Sequence, residues 1–110
     1  MEIITRDYPH ATILRVTGRV DASTYTELET KLKEYMDAGR KHIVLELDGV
    51  EYLSSAGVRV LISTQKSLKP WGGRLVLAQP SDRVKDVLQL AGVDVLFPTY
   101  DTTIAALATE

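Results

Sequence analysis

The stretch His42-Ile43-Val44-Leu45-Glu46-Leu47-Asp48-Gly49-Val50-Glu51-Tyr52-Leu53-Ser54-Ser55-Ala56-Gly57-Val58-Arg59 changes its period partway along. Its first six residues are β-rich and almost continuously apolar, as expected of a central strand covered on both faces. Asp48-Gly49 reads as a turn. Beyond Ser54-Ser55, the residues Val58, Leu61, Ile62, Gln65 and Leu68 recur at helical spacing, and Pro70 with Gly72-Gly73 marks the stop. A strand followed at once by an amphipathic helix is half of a parallel crossover unit. It places the two serines at the junction, at a helix start.

The same pattern extends in both directions. Ile3-Ile4-Thr5 and Ala11–Thr17 read as strands joined by a turn at Tyr8-Pro9-His10, which makes an antiparallel hairpin, with Gly18 closing the second strand. Thr24-Tyr25-Thr26-Glu27 has capping-box spacing. Behind it Tyr25, Leu28, Leu32, Tyr35 and Met36 form a helical stripe that ends at Gly39. Arg74–Ala78 is a further strand, and Ser81-Asp82 caps a helix whose inward residues are Val84, Val87, Leu88 and Ala91, with Gly92 at its end. Val95-Leu96-Phe97 reads as a short strand or extended piece, and Asp101 or Thr102 starts a last helix carrying Ile104, Ala105 and Leu107. After the hairpin, helices and strands alternate, so the centre of the sheet is expected to be parallel. The expectation is a small α/β domain over residues 1–110, with a mixed sheet of about four or five strands packed against about four helices.

Composition narrows the chemistry. The 110 residues are 45% hydrophobic and 25% charged, which is the balance of a folded globular chain. The net charge is −2 with no Lys/Arg block, so the footprint of a nucleic-acid binder is missing. Cysteine is absent, which removes thiol catalysis and cysteine metal sites. No apolar run approaches the ~20 residues of a membrane span, and no leader pattern precedes Arg6, so a cytoplasmic setting without membrane insertion is expected.

Candidate chemistry is sparse. His10 and His42 stand apart, without a metal-ligand pattern. No phosphate-binding glycine loop occurs, and Gly72-Gly73 precedes a strand instead of a helix. Leu53-Ser54-Ser55-Ala56-Gly57 lacks the first glycine of a nucleophile elbow. Neither an enzyme, a cofactor nor a metal is expected.

The serine pair has two readings on spacing alone. As structure, Ser54 caps the helix and Ala56-Gly57 permits close packing. As chemistry, Ser55 is the first helical residue and faces solvent at the positive end of the helix dipole. A phosphate there would meet unpaired N–H donors, with Arg59 one turn away. Arg59 serves equally as a solvated arginine. Asp21 can cap the first helix, and Trp71 either packs on a rim or anchors a binding surface, the former being the expectation.

The run Ile43–Leu61 resembles the STAS domain family, specifically its stand-alone bacterial anti-sigma factor antagonists. The resemblance continues through Val16-Thr17-Gly18-Arg19-Val20-Asp21, Lys69–Leu77, Val87–Val93 and Leu96-Phe97-Pro98. It implies a protein that binds an anti-sigma factor serine/threonine kinase, frees a sigma factor, is switched off by phosphorylation and is restored by a serine phosphatase. The family motif Asp-Ser-Ser/Thr-Gly, laid on Ser54-Ser55-Ala56-Gly57, makes Ser55 the acceptor. Here Ser54 replaces the family's aspartate and Ala56 its second hydroxyl residue. The implied partner surface comprises Asp21, Ser23, Thr24, Ser54, Ser55, Ala56, Gly57 and Arg59. A soluble accessory subunit of a membrane transporter and a small-molecule or nucleotide sensor are the alternatives within the same resemblance.

Overall fold

The computed structural model describes residues 1–108. Strands β1 (Glu2–Asp7), β2 (Thr12–Val20), β3 (His42–Leu53), β4 (Arg74–Ala78) and β5 (Thr99–Tyr100) form one sheet in the order β1-β2-β3-β4-β5. β1 runs antiparallel to β2, and the other pairings are parallel. Each parallel connection contains a helix: α1 (Tyr25–Asp37), α2 (Ser55–Leu68) and α3 (Asp82–Leu90). Crossovers of one hand between strands added in one direction must gather on one face of the sheet. A last helix, α4 (Thr103–Ala108), follows β5.

Alternation along the strands builds two unequal cores. Leu14, Val16, Ile43, Leu45, Leu47, Leu75 and Leu77 point beneath the three crossover helices and meet Leu28, Leu32, Val58, Leu61, Val84 and Leu88. The opposite face holds a smaller cluster of Ile13, Val44, Val76, Ala78 and Ala106, closed by α4. β3 is covered on both faces, and Ile43 through Leu47 are all buried.

Glu46 is the polar member of that run. Its carboxylate accepts from Arg6 Nη2 at 2.7 Å and from the Thr103 hydroxyl, so it ties α4 to the sheet. Gln65 of α2 serves a similar purpose on the other face. β5 reaches down only to Leu77, so Leu75 has no strand neighbour on that side. The Gln65 amide fills the gap, accepting from Leu75 N at 2.7 Å and donating to the carbonyls of Leu75 and Leu96 at 2.9 Å each.

Several local expectations are corrected. Asp48-Gly49 is not a turn: β3 continues to Leu53, with a register irregularity opposite Arg15–Thr17. Arg15 donates two hydrogen bonds to Asp48, at 2.6 and 3.2 Å, and a Cβ on Gly49 would lie 2.7 Å from Thr17 Cγ2. The glycine is there to admit β2. Gly18, at φ +91°, likewise does not end β2, which runs on to Val20. Val95-Leu96-Phe97 is not a strand. Asp94–Leu96 form a 3-10 turn and the pairing occurs at Thr99–Tyr100, since Pro98 has no N–H for the ladder but its carbonyl accepts from Leu77 N. Trp71 is 71% exposed and is not packed on a rim.

Candidate functional site

Of the residues singled out in the sequence, Asp21, Ser23, Thr24 and the Ser54–Arg59 segment gather at the C-terminal ends of β2 and β3, while His10, His42 and Trp71 lie toward the opposite ends of the strands. Val20 and Leu53 are register partners, and Ser54 N donates to Val20 O at 2.8 Å. The loop after β2, residues 21–24, therefore lies beside the start of α2. In parallel α/β sheets such strand ends carry the binding surface.

Ser54 has the extended backbone of an N-cap, φ −85° and ψ 171°, and its hydroxyl accepts from Gly57 N at 3.3 Å. Its carbonyl accepts from Val58 N at 3.0 Å, which starts the helical ladder. Ser55 is then the first helical residue and is exposed, while Ala56 and Gly57 are buried. A Cβ on Gly57 would come within 2.6 Å of Leu53 Cδ1 and 2.8 Å of Val20 Cγ1. That close approach seats α2 on the strand ends and fixes the direction in which Ser55 faces.

The first turn of this 14-residue helix carries no acidic residue. No acidic side chain of its own first turn offsets its positive dipole end, and its leading N–H groups precede any intrahelical acceptor. Arg59, four residues beyond Ser55, is exposed and makes no ion pair among the described residues.

The neighbouring loop is organised around Asp21. Its carboxylate accepts from Ser23 N at 3.0 Å and from the Ser23 hydroxyl at 2.8 Å. Those bonds, with the Arg19 guanidinium 3.6 Å away, hold the carboxyl below the ordinary aspartate range. Asp21 therefore braces the loop instead of capping α1, although its backbone carbonyl accepts from Tyr25 N at 2.9 Å. The capping box expected at Thr24–Glu27 does not form. The Thr24 hydroxyl accepts from Asp21 N at 3.0 Å and donates to Arg19 O at 2.9 Å, so it is spent on the loop.

Two further side chains border this surface. The Arg19 guanidinium stacks over the Tyr52 ring, 4.4 Å from its centroid. Sequence spacing gave no sign of the pair, because Arg19 and Tyr52 meet only through the register of two distant strands.

The STAS domain model matches residues 2–106. The chain belongs to the STAS domain family. Among curated relatives, this STAS domain is 34% identical over 91 residues to BtrV of Bordetella bronchiseptica, whose name assigns it provisionally to the anti-sigma factor antagonists; the match covers 83% of this chain and 78% of that one. It is 26% identical over 96 residues to the anti-sigma F factor antagonist of Paenibacillus polymyxa, covering 86% of this chain and 82% of the relative. Among solved structures it superposes on the unphosphorylated anti-sigma factor antagonist SpoIIAA with a TM-score of 0.85 at 18% identity, over 98% of this chain and 95% of the other. The phosphorylated form of SpoIIAA, from Bacillus, gives a TM-score of 0.77 at 18% identity over 98% of each chain. At that identity the likeness shows the fold: an α/β domain whose five-stranded sheet has a parallel centre.

Proposed function

We propose that this STAS domain is an anti-sigma factor antagonist that binds an anti-sigma factor serine/threonine kinase in the cytoplasm and so releases a sigma factor. Ser55 is the switch. The kinase transfers the γ-phosphoryl group of ATP to the Ser55 hydroxyl, which gives up its proton as ADP leaves, and a serine phosphatase hydrolyses the ester to restore the antagonist. The docking surface consists of Asp21, Ser23 and Thr24 on the loop, together with the cap Ser54 and with Ser55 and Arg59 on α2; Ala56 and Gly57, expected to belong to it, are buried beneath it and shape it from below.

The observation that carries this reading is the exposed Ser55 hydroxyl at the first position of a helix already capped by Ser54. Capping and acceptance are divided between the two serines, so modifying Ser55 removes no bond that holds the fold. The carboxylate of the family motif is replaced here by a neutral cap, and the first turn remains free of negative charge. The relatives named as antagonists, and the existence of a phosphorylated SpoIIAA, support the same assignment.

The switch then works at the interface. Phosphate adds about −1.5 to −2 charges, and the helix dipole favours it by ~0.3–1 kcal/mol, so the domain stays folded. A hundredfold loss of affinity needs only ~2.7 kcal/mol, within the cost of desolvating a dianion against a surface fitted to a neutral hydroxyl. The test is incubation with the cognate anti-sigma factor kinase and ATP, followed by phosphosite mapping. Phosphate on Ser55, lost in Ser55→Ala with binding retained, is the expected result. Phosphate on another residue, or none, overturns the assignment.

A further inference from the structure

At the far edge of the sheet from β5, strand β1 pairs with β2 alone, and among the described residues no strand covers its outer backbone edge. Six consecutive register pairs join β1 to β2 without a bulge, and β1 contains no proline. Two devices that commonly blunt an edge strand are therefore missing. Ile4, at the middle of the strand, is 51% exposed on the face away from the crossover helices. Glu2 and Arg6 flank it on that same face, two residues to either side.

This pattern is complementary to itself. When two copies of β1 pair antiparallel about a twofold axis normal to the sheet, directly opposed residues must have the same parity, so that the helical faces stay on one side. Centring the axis on Ile4 sets Ile4 against Ile4 of the second copy. It also sets Glu2 against the second copy's Arg6, and Arg6 against its Glu2. On the helical face Ile3 then meets Thr5. Moving the centre to Ile3 or Thr5 sets Ile4 against Glu2 or Arg6 respectively, and loses the two charge pairs. The Ile4 register alone combines an apolar pair at the axis with an opposite-charge pair on each side, the cross-strand combinations that stabilise antiparallel sheets.

Arg6 can take part without giving up its present contact. It uses Nη2 on Glu46, and its side chain is 49% exposed, which leaves other guanidinium donors for a carboxylate across the axis.

We propose that the outer edge of β1 is a homodimerisation surface, joining two copies of this chain into a continuous ten-stranded sheet with Ile4 on the twofold axis. The proposal is independent of the Ser55 reading: β1 is separated from β3 and the α2 junction by β2. A pairing of six-residue strands falls short of the ~1,200 Å² of a standard interface, which places the dimer in a weak, concentration-dependent class.

The chain has no cysteine, so one substitution introduces one thiol. Ile4→Cys places that thiol directly against its own copy at the axis. Glu2→Cys, on the same exposed face, lies about 14 Å along the strand from its copy and serves as the control. Under mild oxidation Ile4→Cys chains should form disulfide dimers roughly tenfold faster than Glu2→Cys chains, because only the former meet disulfide geometry in the dimer. A mixture of Glu2→Cys and Arg6→Cys chains should give the mixed disulfide in excess of either homodimer. Sedimentation equilibrium of the unmodified chain should show a monomer–dimer equilibrium that Glu2→Lys weakens without changing Tm. Equal cross-linking rates for Ile4→Cys and Glu2→Cys, or a monomer at every concentration up to ~1 mM, overturn the proposal.

Discussion

Gly57→Ala tests the claim that α2 is seated by a missing side chain. The new Cβ would lie 2.6 Å from Leu53 Cδ1 and 2.8 Å from Val20 Cγ1, both well inside van der Waals contact. Leu53 can rotate its terminal methyl. Val20 cannot yield as readily, because it is β-branched and 1% exposed at the end of a paired strand. Overpacking of this kind costs about 1–3 kcal/mol, while exchanging glycine for alanine within a helix returns ~0.5–1 kcal/mol. The net expectation is a destabilisation of about 0–2.5 kcal/mol, with a midpoint near 1 kcal/mol. For a domain near this size the midpoint corresponds to a Tm lower by roughly 4–8 °C. Circular dichroism melts of the two chains measure it directly. Pairing Gly57→Ala with Leu53→Ala, which removes the methyl it strikes, should give a total loss smaller than the sum of the two single losses. A raised Tm for Gly57→Ala would mean that the strand ends are not what holds the helix start.

Other outcomes follow from the same structure. Ser55→Asp should leave Tm within about 1 kcal/mol equivalent of the unmodified chain, because an acidic group at a helix N-terminus is tolerated, yet weaken capture by the cognate anti-sigma factor kinase in a titration. Gln65→Leu strips partners from Leu75 N and from the Leu75 and Leu96 carbonyls, and should cost about 2–4 kcal/mol in urea unfolding. Asp48 is held below the ordinary aspartate range chiefly by its hydrogen bond from Arg15, and Asp21 chiefly by its bonds from Ser23. Both folded-state values lie below the unfolded value of about 3.9, so the stabilisation is complete above that pH and is lost as pH falls through the depressed range. Melts between pH 2 and 5 should therefore show a shallower acid decline for Asp48→Asn than for the unmodified chain.

What could be read from the residues in order was whatever has a local cause. The Ser54 cap depends on an oxygen three residues before an N–H, and the stripe Val58, Leu61, Ile62, Gln65 and Leu68 depends on helical period; both are found in the structure. The β1–β2 hairpin, the apolar β3 and the Ser81 cap are of the same kind. The family resemblance was likewise carried by blocks along the chain. The exposure of Ser55 follows from its place one residue after the cap.

Tertiary structure decided the rest, wherever a residue's natural local use competed with a distant partner. Asp48-Gly49 has the composition of a turn, but Arg15 from β2 engages the aspartate and Thr17 needs the space the glycine leaves, so the strand runs through. Thr24 has the spacing of a cap, but its hydroxyl closes the loop onto Arg19 and Asp21. Gln65 falls on an apolar stripe without an apparent reason until the short β5 leaves Leu75 without a strand partner. Sequence determined the longer helices, the strands that precede them and which serine begins α2, but not the run of β3 through Asp48-Gly49 or the place of β5. Only the sheet, by bringing Val20 beside Leu53, determined that Asp21, Ser23 and Thr24 share a surface with Ser55, because that adjacency is a parallel register between strands a whole helix apart.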